Sequence, residues 1–144
     1  MASKFFKLCD STGYTYDIKV YLGKDRQHMA QHVTATHATV TELMRKIEGH
    51  GHKLYVDNFF SFPKLFDDLA NKQIYCCGTV RPNRRSMPQD LVPKTTKLKR
   101  GGICIRTSAD LTAILWWDKS DICMLTNIHN APAEGNFAMS EERP

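Results

Sequence analysis

The chain has 144 residues, with 20 lysines and arginines against 15 aspartates and glutamates, and a formal net charge of +5. This length predicts one domain that can bury a sizeable core, and no run of about 18 apolar residues is present that could form a membrane-spanning helix. The first residues lack the apolar stretch of a secretory signal, and the five cysteines include no CxxC pair. We therefore expect a reducing compartment, no membrane partner and no zinc site.

Two short strands are predicted first. Residues 4–9 are largely apolar, residues 10–13 have the turn-forming sequence Asp-Ser-Thr-Gly, and residues 14–22 alternate between apolar and polar side chains. Alternation with a period of two is typical of a strand that turns one face toward a core. We therefore expect an antiparallel pair whose first strand ends at Asp10, followed by a polar loop over residues 24–32.

A helix and a further strand follow. Apolar residues recur at helical spacing from 40 to 47, Thr39 or Thr41 can cap the start of the helix, and Gly49 comes after its end. Residues 53–56 then form a short apolar run, which predicts a buried strand.

Asp57 ends the strand at residues 53–56 and opens directly into an amphipathic segment. Ser61 can cap a helix there, whose apolar stripe covers residues 62–69. Ligands of open α/β sheets bind outside the carboxyl ends of the strands, so acidic residues at those ends often act in catalysis or ligand binding. Asp10 occupies the same kind of position, and the two aspartates therefore suggest a pair of metal ligands.

The order of these elements, completed by a strand over residues 73–80, predicts a mixed α/β sheet with parallel crossovers. Prolines and a Gly-Gly pair then punctuate a connector, and three short segments rich in β-branched and aromatic residues predict an antiparallel meander: 103–106, 111–117 and 121–127. We therefore expect a core in residues 1–80, a basic connector and β-rich insertion in residues 81–130, and a flexible tail in residues 131–144.

The connector is strongly basic. Between residues 81 and 100 the acid is Asp90, whereas the basic residues are Arg81, Arg84, Arg85, Lys94, Lys97, Lys99 and Arg100. Lysines and arginines that displace condensed counterions supply most of a protein's nonspecific affinity for DNA. The segment is therefore either a DNA-binding surface or a solvated loop, and the residues alone leave both interpretations open.

Five segments carry a resemblance to a known family. They are CDSTGY at residues 9–14, YLGK at 21–24, VDNFFSFPKL at 56–65, GTVRPNRR at 78–85 and WWDKSDICMLTNIHN at 116–130. Their order and spacing resemble those of piggyBac-type transposases, and the resemblance extends from residue 4 to residue 130.

The resemblance implies an RNase H-like α/β fold with a small β-rich insertion, incomplete at both ends. In that family, acidic residues hold two Mg²⁺ ions for DNA strand cleavage and transfer at TTAA targets, and Asp10 and Asp57 match the first and second catalytic aspartates. Two metal ions can activate the attacking oxygen and stabilise the leaving one, and Mg²⁺ prefers hard carboxylate oxygens. We therefore expect Asp10 and Asp57 to be catalytic metal ligands on neighbouring parallel strands. The alternatives are a turn started by Asp10 and a helix cap supplied by Asp57.

The sequence also departs from the family. The third aspartate, which lies in a Gly-Val-Asp motif, is missing from this sequence, as are the family's N-terminal dimerisation and DNA-binding segments and its Cys-rich zinc module. We therefore expect a fragment of a transposable-element-derived catalytic domain that binds Mg²⁺ weakly and is inactive alone. The alternative is a domesticated, non-catalytic remnant that binds DNA or a protein partner.

The partners implied by the resemblance are DNA, a second copy of the chain or a full-length transposase, in the nucleus or otherwise in the cytoplasm. Six side chains of the connector are the expected phosphate contacts, which would position DNA without reading its bases: Arg81, Arg84, Arg85, Lys97, Lys99 and Arg100.

Overall fold

The structure is a computed structural model, which describes residues 4–21, 34–92 and 97–130. The loop predicted at residues 24–32 and the tail predicted at residues 131–144 lie outside the described residues. The chain divides into two units, Met1–Glu48 and Gly49–Pro144. The three domain ranges expected from the sequence stay predictions. None of the helices in the described ranges is long and apolar enough to cross a membrane.

The first unit begins with the predicted antiparallel pair, β1 (Phe5–Cys9) and β2 (Thr15–Val20). Phe5 lies opposite Val20, and Lys7 lies opposite Ile18. The predicted alternation is present, but the apolar face that the pattern turns toward a core is exposed. Phe5, Ile18 and Val20 keep 50%, 52% and 53% of their surface in contact with solvent.

The polar face of β2 faces the helix α1 (Ala35–Met44) and the turn that follows it. Lys19 pairs with Glu42 of α1, and Asp17 lies 3.5 Å from Lys46. Since these contacts are made by the polar side chains of β2, the alternating apolar side chains must point the opposite way, toward solvent.

Helix α1 begins earlier than the sequence predicts. Thr34 is its N-cap, with Oγ1 accepting a hydrogen bond from the His37 amide at 3.3 Å. The predicted caps Thr39 and Thr41 lie inside the helix, and Thr39 Oγ1 donates to the Ala35 carbonyl at 2.8 Å. The first turn lacks large apolar residues, so the apolar periodicity could not locate it.

The second unit contains a five-stranded mixed sheet, which confirms the predicted mixed α/β class. Its strands are β3 (Lys53–Val56), β4 (Tyr75–Thr79), β5 (Ile103–Ser108), β6 (Leu111–Trp117) and β7 (Asp121–Thr126). Their order across the sheet is β3-β4-β7-β6-β5, with β3 and β4 parallel and the other neighbours antiparallel. The predicted meander is confirmed as β5, β6 and β7. Its last strand is hydrogen-bonded to β4, so the β-rich segment extends the same sheet.

The helix α2 (Pro63–Ala70) connects β3 to β4 and supplies the centre of the core. Three residues of its predicted stripe are at most 1% exposed: Leu65, Phe66 and Leu69. Ser61, the predicted cap, is not the N-cap, because Phe62 occupies that position without a side-chain hydrogen bond. Pro63 carries no N–H in the first turn, which removes one of the donors that a cap would satisfy. The remaining short elements are the 3-10 turns Arg45–Ile47 and Gln89–Leu91.

Four of the five cysteines are buried, and Cys9 is exposed. Burial raises the pKa of Cys76 to about 12, with a smaller contribution from the neighbouring Cys77, and it raises the pKa of Cys123 to about 11. Because the thiolate is the reactive form of cysteine, Cys76 and Cys123 are poor nucleophiles at neutral pH.

Candidate active site

Asp57 lies at the carboxyl end of the parallel strand β3, in a turn of residues 57–61 that we call the Asp57 turn. Its Oδ1 accepts a hydrogen bond from the Phe59 amide at 3.1 Å. Its carbonyl accepts bonds from the amides of Phe60 and Ser61 at 3.2 and 3.1 Å. The buried Ser61 hydroxyl donates to the same carbonyl at 2.9 Å. Asp57 is therefore not the cap of α2. Its exposed carboxylate belongs to a separate, hydrogen-bonded turn.

Gly78 in β4 allows the neighbouring strand to approach the Asp57 turn closely. It is paired with Val56 in the parallel register. A Cβ at Gly78 would lie 2.1 Å from the Val56 carbonyl oxygen and 2.9 Å from Ser61 Oγ. Both distances are far below van der Waals contact, so only glycine fits at this position without a shift of the backbone.

Arg84 joins the connector to the Asp57 turn. Its Nη2 donates to the Asn58 carbonyl at 3.1 Å and to the Phe59 carbonyl at 2.8 Å. Its Nε is buried and has no hydrogen-bond partner among the described residues. The guanidinium of Arg84 therefore lies against the turn, whereas the sequence predicts it as a phosphate contact.

These supports of the Asp57 turn were not predicted from the sequence. The sequence pattern predicts a helix cap at Ser61 and a phosphate contact at Arg84, and it indicates no role for Gly78. A usable signal was present, because the segments VDNFFSFPKL at residues 56–65 and GTVRPNRR at residues 78–85 contain all of the contacting residues. The structure brings the two segments into contact through Gly78 and Arg84.

Asp10 organises the turn between β1 and β2. Its Oδ1 accepts hydrogen bonds from the Thr12 amide at 2.8 Å, the Thr12 hydroxyl at 2.6 Å and the Tyr14 amide at 3.0 Å. The Thr12 hydroxyl is the main cause of a lowered pKa at Asp10, and the backbone amides contribute further. The alternative interpretation, in which Asp10 starts a turn, therefore describes its observed contacts.

The strands that end at Asp10 and Asp57 belong to different units, β1 to the first and β3 to the second, so their expected placement side by side stays a prediction. Over the described ranges, β1 pairs with β2 in a two-stranded sheet, and β3 is an edge strand paired with β4. A pattern that places an acid at a strand end carries no information about which strand lies beside it. The roles of Asp10 and Asp57 as catalytic metal ligands stay predictions.

The described residues also contain no group of three or more histidine, cysteine, aspartate or glutamate side chains that could hold a metal ion. Asp10 and Asp57 supply carboxylate oxygens, which suit Mg²⁺. One oxygen of each is already engaged by donors of its own turn. The described side chains thus do not form a metal centre by themselves.

The other cations predicted to contact phosphates are exposed: Arg81, Arg85, Lys97, Lys99 and Arg100. Arg100 Nε donates to Asp118 at 3.1 Å, yet its side chain stays 72% exposed. Asp90, the acid of the connector, pairs at 2.7 Å with Arg106 of β5. Its negative charge is therefore balanced by a residue outside the connector. Lys94 lies outside the described residues.

Comparisons with known proteins agree on one group of relatives. The model of a family described as Transposase IS4 matches residues 1–143. The human PiggyBac transposable element-derived protein 5 is 25% identical over 142 residues, covering 92% of this chain and 27% of the relative. The cryo-EM structure of a piggyBac transposase synaptic complex with hairpin DNA superposes with a TM-score of 0.79 and 26% identity. That match covers 93% of this chain and 28% of the transposase chain. The chain thus spans just over a quarter of the length of these relatives.

Proposed function

Because this chain belongs to the Transposase IS4 family, whose model matches residues 1–143, we propose that it forms part of the catalytic domain of a piggyBac-type DNA transposase. The piggyBac-type resemblance and the RNase H-like fold class expected from the sequence are confirmed by the relatives. The reaction proposed for the whole domain is metal-dependent DNA strand cleavage and transfer at TTAA, with Asp10 and Asp57 as two of the catalytic carboxylates. A nuclear location is part of the same proposal.

The observation that carries this proposal is the construction of the Asp57 turn. An exposed carboxylate stands at the carboxyl end of a parallel strand, where α/β enzymes place reactive groups. The turn beneath it is fixed by hydrogen bonds from Ser61 and Arg84 and by the close approach of Gly78. Catalytic groups need such support, because a small displacement of a reacting group costs rate.

Mg²⁺ would supply the chemistry that polarises the phosphate and activates the attacking oxygen. Asp10 and Asp57 would contribute carboxylates to it, and the described residues provide no cluster that completes the site. A complete site needs ligands in addition to these two aspartates.

We expect this chain alone to bind Mn²⁺ or Mg²⁺ weakly and to give no detectable cleavage of supercoiled plasmid DNA. The binding is measured as paramagnetic broadening of the Asp57 and Phe59 amide signals by Mn²⁺. Asp57→Asn should remove that broadening, whereas Asp110→Asn, which changes an exposed turn acid of the β5–β6 hairpin, should leave it unchanged. Plasmid nicking that requires Mg²⁺ and is lost in Asp57→Ala would contradict the expected inactivity.

The exposed cations support a proposed role in DNA binding. The solved relative is described as a complex with hairpin DNA, and this chain carries exposed side chains at Arg81, Arg85, Lys97, Lys99 and Arg100. The acid between them is paired with Arg106. These side chains are suited to contact phosphates, which would position a duplex without reading its sequence.

Replacing Arg85 and Lys99 with alanine should weaken binding to any duplex. Each lost phosphate contact should reduce the magnitude of the slope of log affinity against log salt by about 0.9, so the double variant should lose about 1.8. Fluorescence anisotropy over a salt series measures this slope. Lys53→Ala, which removes an exposed cation of β3 outside the connector, is the matched control. A double variant with the slope of the parent would mean that the connector is a solvated loop.

A partner-binding remnant is the second candidate, and the exposed apolar face of the β1–β2 pair favours it. Phe5, Ile18 and Val20 form adjacent positions on this face. Contiguous apolar surface on a soluble protein often marks an interaction site. Concentration-dependent association without DNA, measured by sedimentation, would support this candidate over the DNA-binding role. The partners expected for it are a second copy of the chain and a full-length transposase.

A further inference from the structure

Arg84 differs from the other cations of the connector in where its charge lies. Arg81 and Arg85 are exposed, whereas Arg84 is half-buried and directs Nη2 at the Asn58 and Phe59 carbonyls. We propose that Arg84 is a positioning residue, which holds the Asp57 turn in place and does not contact a DNA phosphate. The importance of this for catalysis rests on the proposed function, in which Asp57 is a catalytic carboxylate.

The chemistry of the turn explains why an arginine suits this position. Backbone carbonyls in a turn need donors, and two successive carbonyls, at Asn58 and Phe59, accept from the same nitrogen of Arg84. Hydrogen bonds from a charged donor are stronger than those between neutral groups. The rigid guanidinium therefore fixes the Asn58–Phe59 and Phe59–Phe60 peptide groups of the turn.

The burial of Arg84 Nε also indicates that the guanidinium faces the turn and not solvent. This nitrogen has no hydrogen-bond partner among the described residues and is shielded from water. A guanidinium that reached out to a phosphate would expose Nε or pair it. The observed orientation is thus that of a group held inward by its contacts with the turn.

The segment around Arg84 is also anchored. Val80 and Met87, on either side, are 4% and 6% exposed. Within the segment, the Arg84 amide donates to the Arg81 carbonyl and the Met87 amide donates to the Arg84 carbonyl, both at 3.1 Å. These contacts fix the backbone of Arg84, so its side chain reaches the Asp57 turn from a rigid base. Neighbouring Arg85, in contrast, is exposed to solvent.

Amide hydrogen exchange without DNA tests the positioning role directly. Arg84→Met keeps the length and apolar stem of the side chain but removes its donors, and Arg84→Lys restores a donor. In Arg84→Met the amides of Phe60 and Ser61, which close the Asp57 turn, should exchange at least about tenfold faster. Arg84→Lys should recover most of the protection. Arg85→Met is the matched control and should exchange like the parent, and the amide of Leu115 in β6 reports whether the sheet itself is intact.

Salt-dependent binding to duplex DNA separates positioning from phosphate contact. Arg84→Met should keep the salt slope of the parent, whereas Arg85→Met should reduce its magnitude by about 0.9. Parent-like exchange at Phe60 and Ser61 in Arg84→Met, or a slope reduced as much as in Arg85→Met, would overturn the proposal. A parent chain that fails to bind DNA would count against the proposed function alone, because the exchange comparison needs no DNA and would still decide the role of Arg84.

Discussion

Replacing Gly78 with alanine is expected to destabilise the second unit by about 3 kcal/mol, the upper end of the range for overpacking. At an ordinary strand position the same substitution would stabilise by roughly 0.4 to 1 kcal/mol, because alanine restricts the unfolded chain. Here the added Cβ would lie 2.1 Å from the Val56 carbonyl oxygen and 2.9 Å from Ser61 Oγ. The nearest obstacle is backbone, which cannot rotate away as a side chain can, so we expect the steric cost to prevail.

Urea unfolding of Gly78→Ala measures this effect as a lower midpoint with little change in the denaturant dependence. Thr79→Ala, at the exposed next position of β4, is the matched control and should change stability by less than about 0.5 kcal/mol. The amide signals of the Asp57 turn should also shift in Gly78→Ala, because β3 and β4 must separate beside it. A variant as stable as the parent would mean that the two strands are farther apart at Val56 than described.

Asn127→Ala is expected to cost about 3 kcal/mol, because the Cys76 amide would lose its partner and the Phe66 carbonyl would lose the donor that reaches it from outside its helix. Asn127 Oδ1 accepts from the Cys76 amide at 2.6 Å, and Nδ2 donates to the Phe66 carbonyl at 3.2 Å. Its own amide donates to the Cys76 carbonyl at 3.0 Å. The side chain thus ties the end of β7 to both β4 and α2, two elements that are distant in the sequence.

Asn127→Asp separates the two contacts, because aspartate keeps the acceptor for Cys76 but cannot donate to the Phe66 carbonyl. We expect its unfolding free energy to lie between those of the parent and Asn127→Ala. Asn130→Ala, which changes an exposed asparagine, should be close to the parent. An Asn127→Ala variant within about 0.5 kcal/mol of the parent would show that water replaces both lost partners.

Elements with a local signal were predictable from the order of the amino acids alone. The apolar stripe of α2, the alternation in β2 and the short β-rich segments that became β5, β6 and β7 all have the predicted periodicity. Side-chain period follows directly from backbone geometry, so it can be read without knowledge of any distant residue. The same holds for the position of Asp57 after β3 and for the family resemblance, which depends on the order of short segments.

Contacts between residues that are distant in the sequence were not predictable from local patterns. Periodicity separates the two faces of β2 but does not show which face another element covers. The polar face pairs with α1 through Glu42 and with the following turn through Lys46, and the apolar face is left in solvent. In the sequence, Arg84 cannot be distinguished from the other basic residues of the connector. In the fold, it contacts the carbonyls of Asn58 and Phe59, which are 26 and 25 positions away. The requirement for glycine at residue 78 likewise follows from the pairing of β3 with β4, which places the Val56 carbonyl oxygen where a Cβ would lie. Such contacts depend on strand order and on distances between remote segments, which local patterns do not encode.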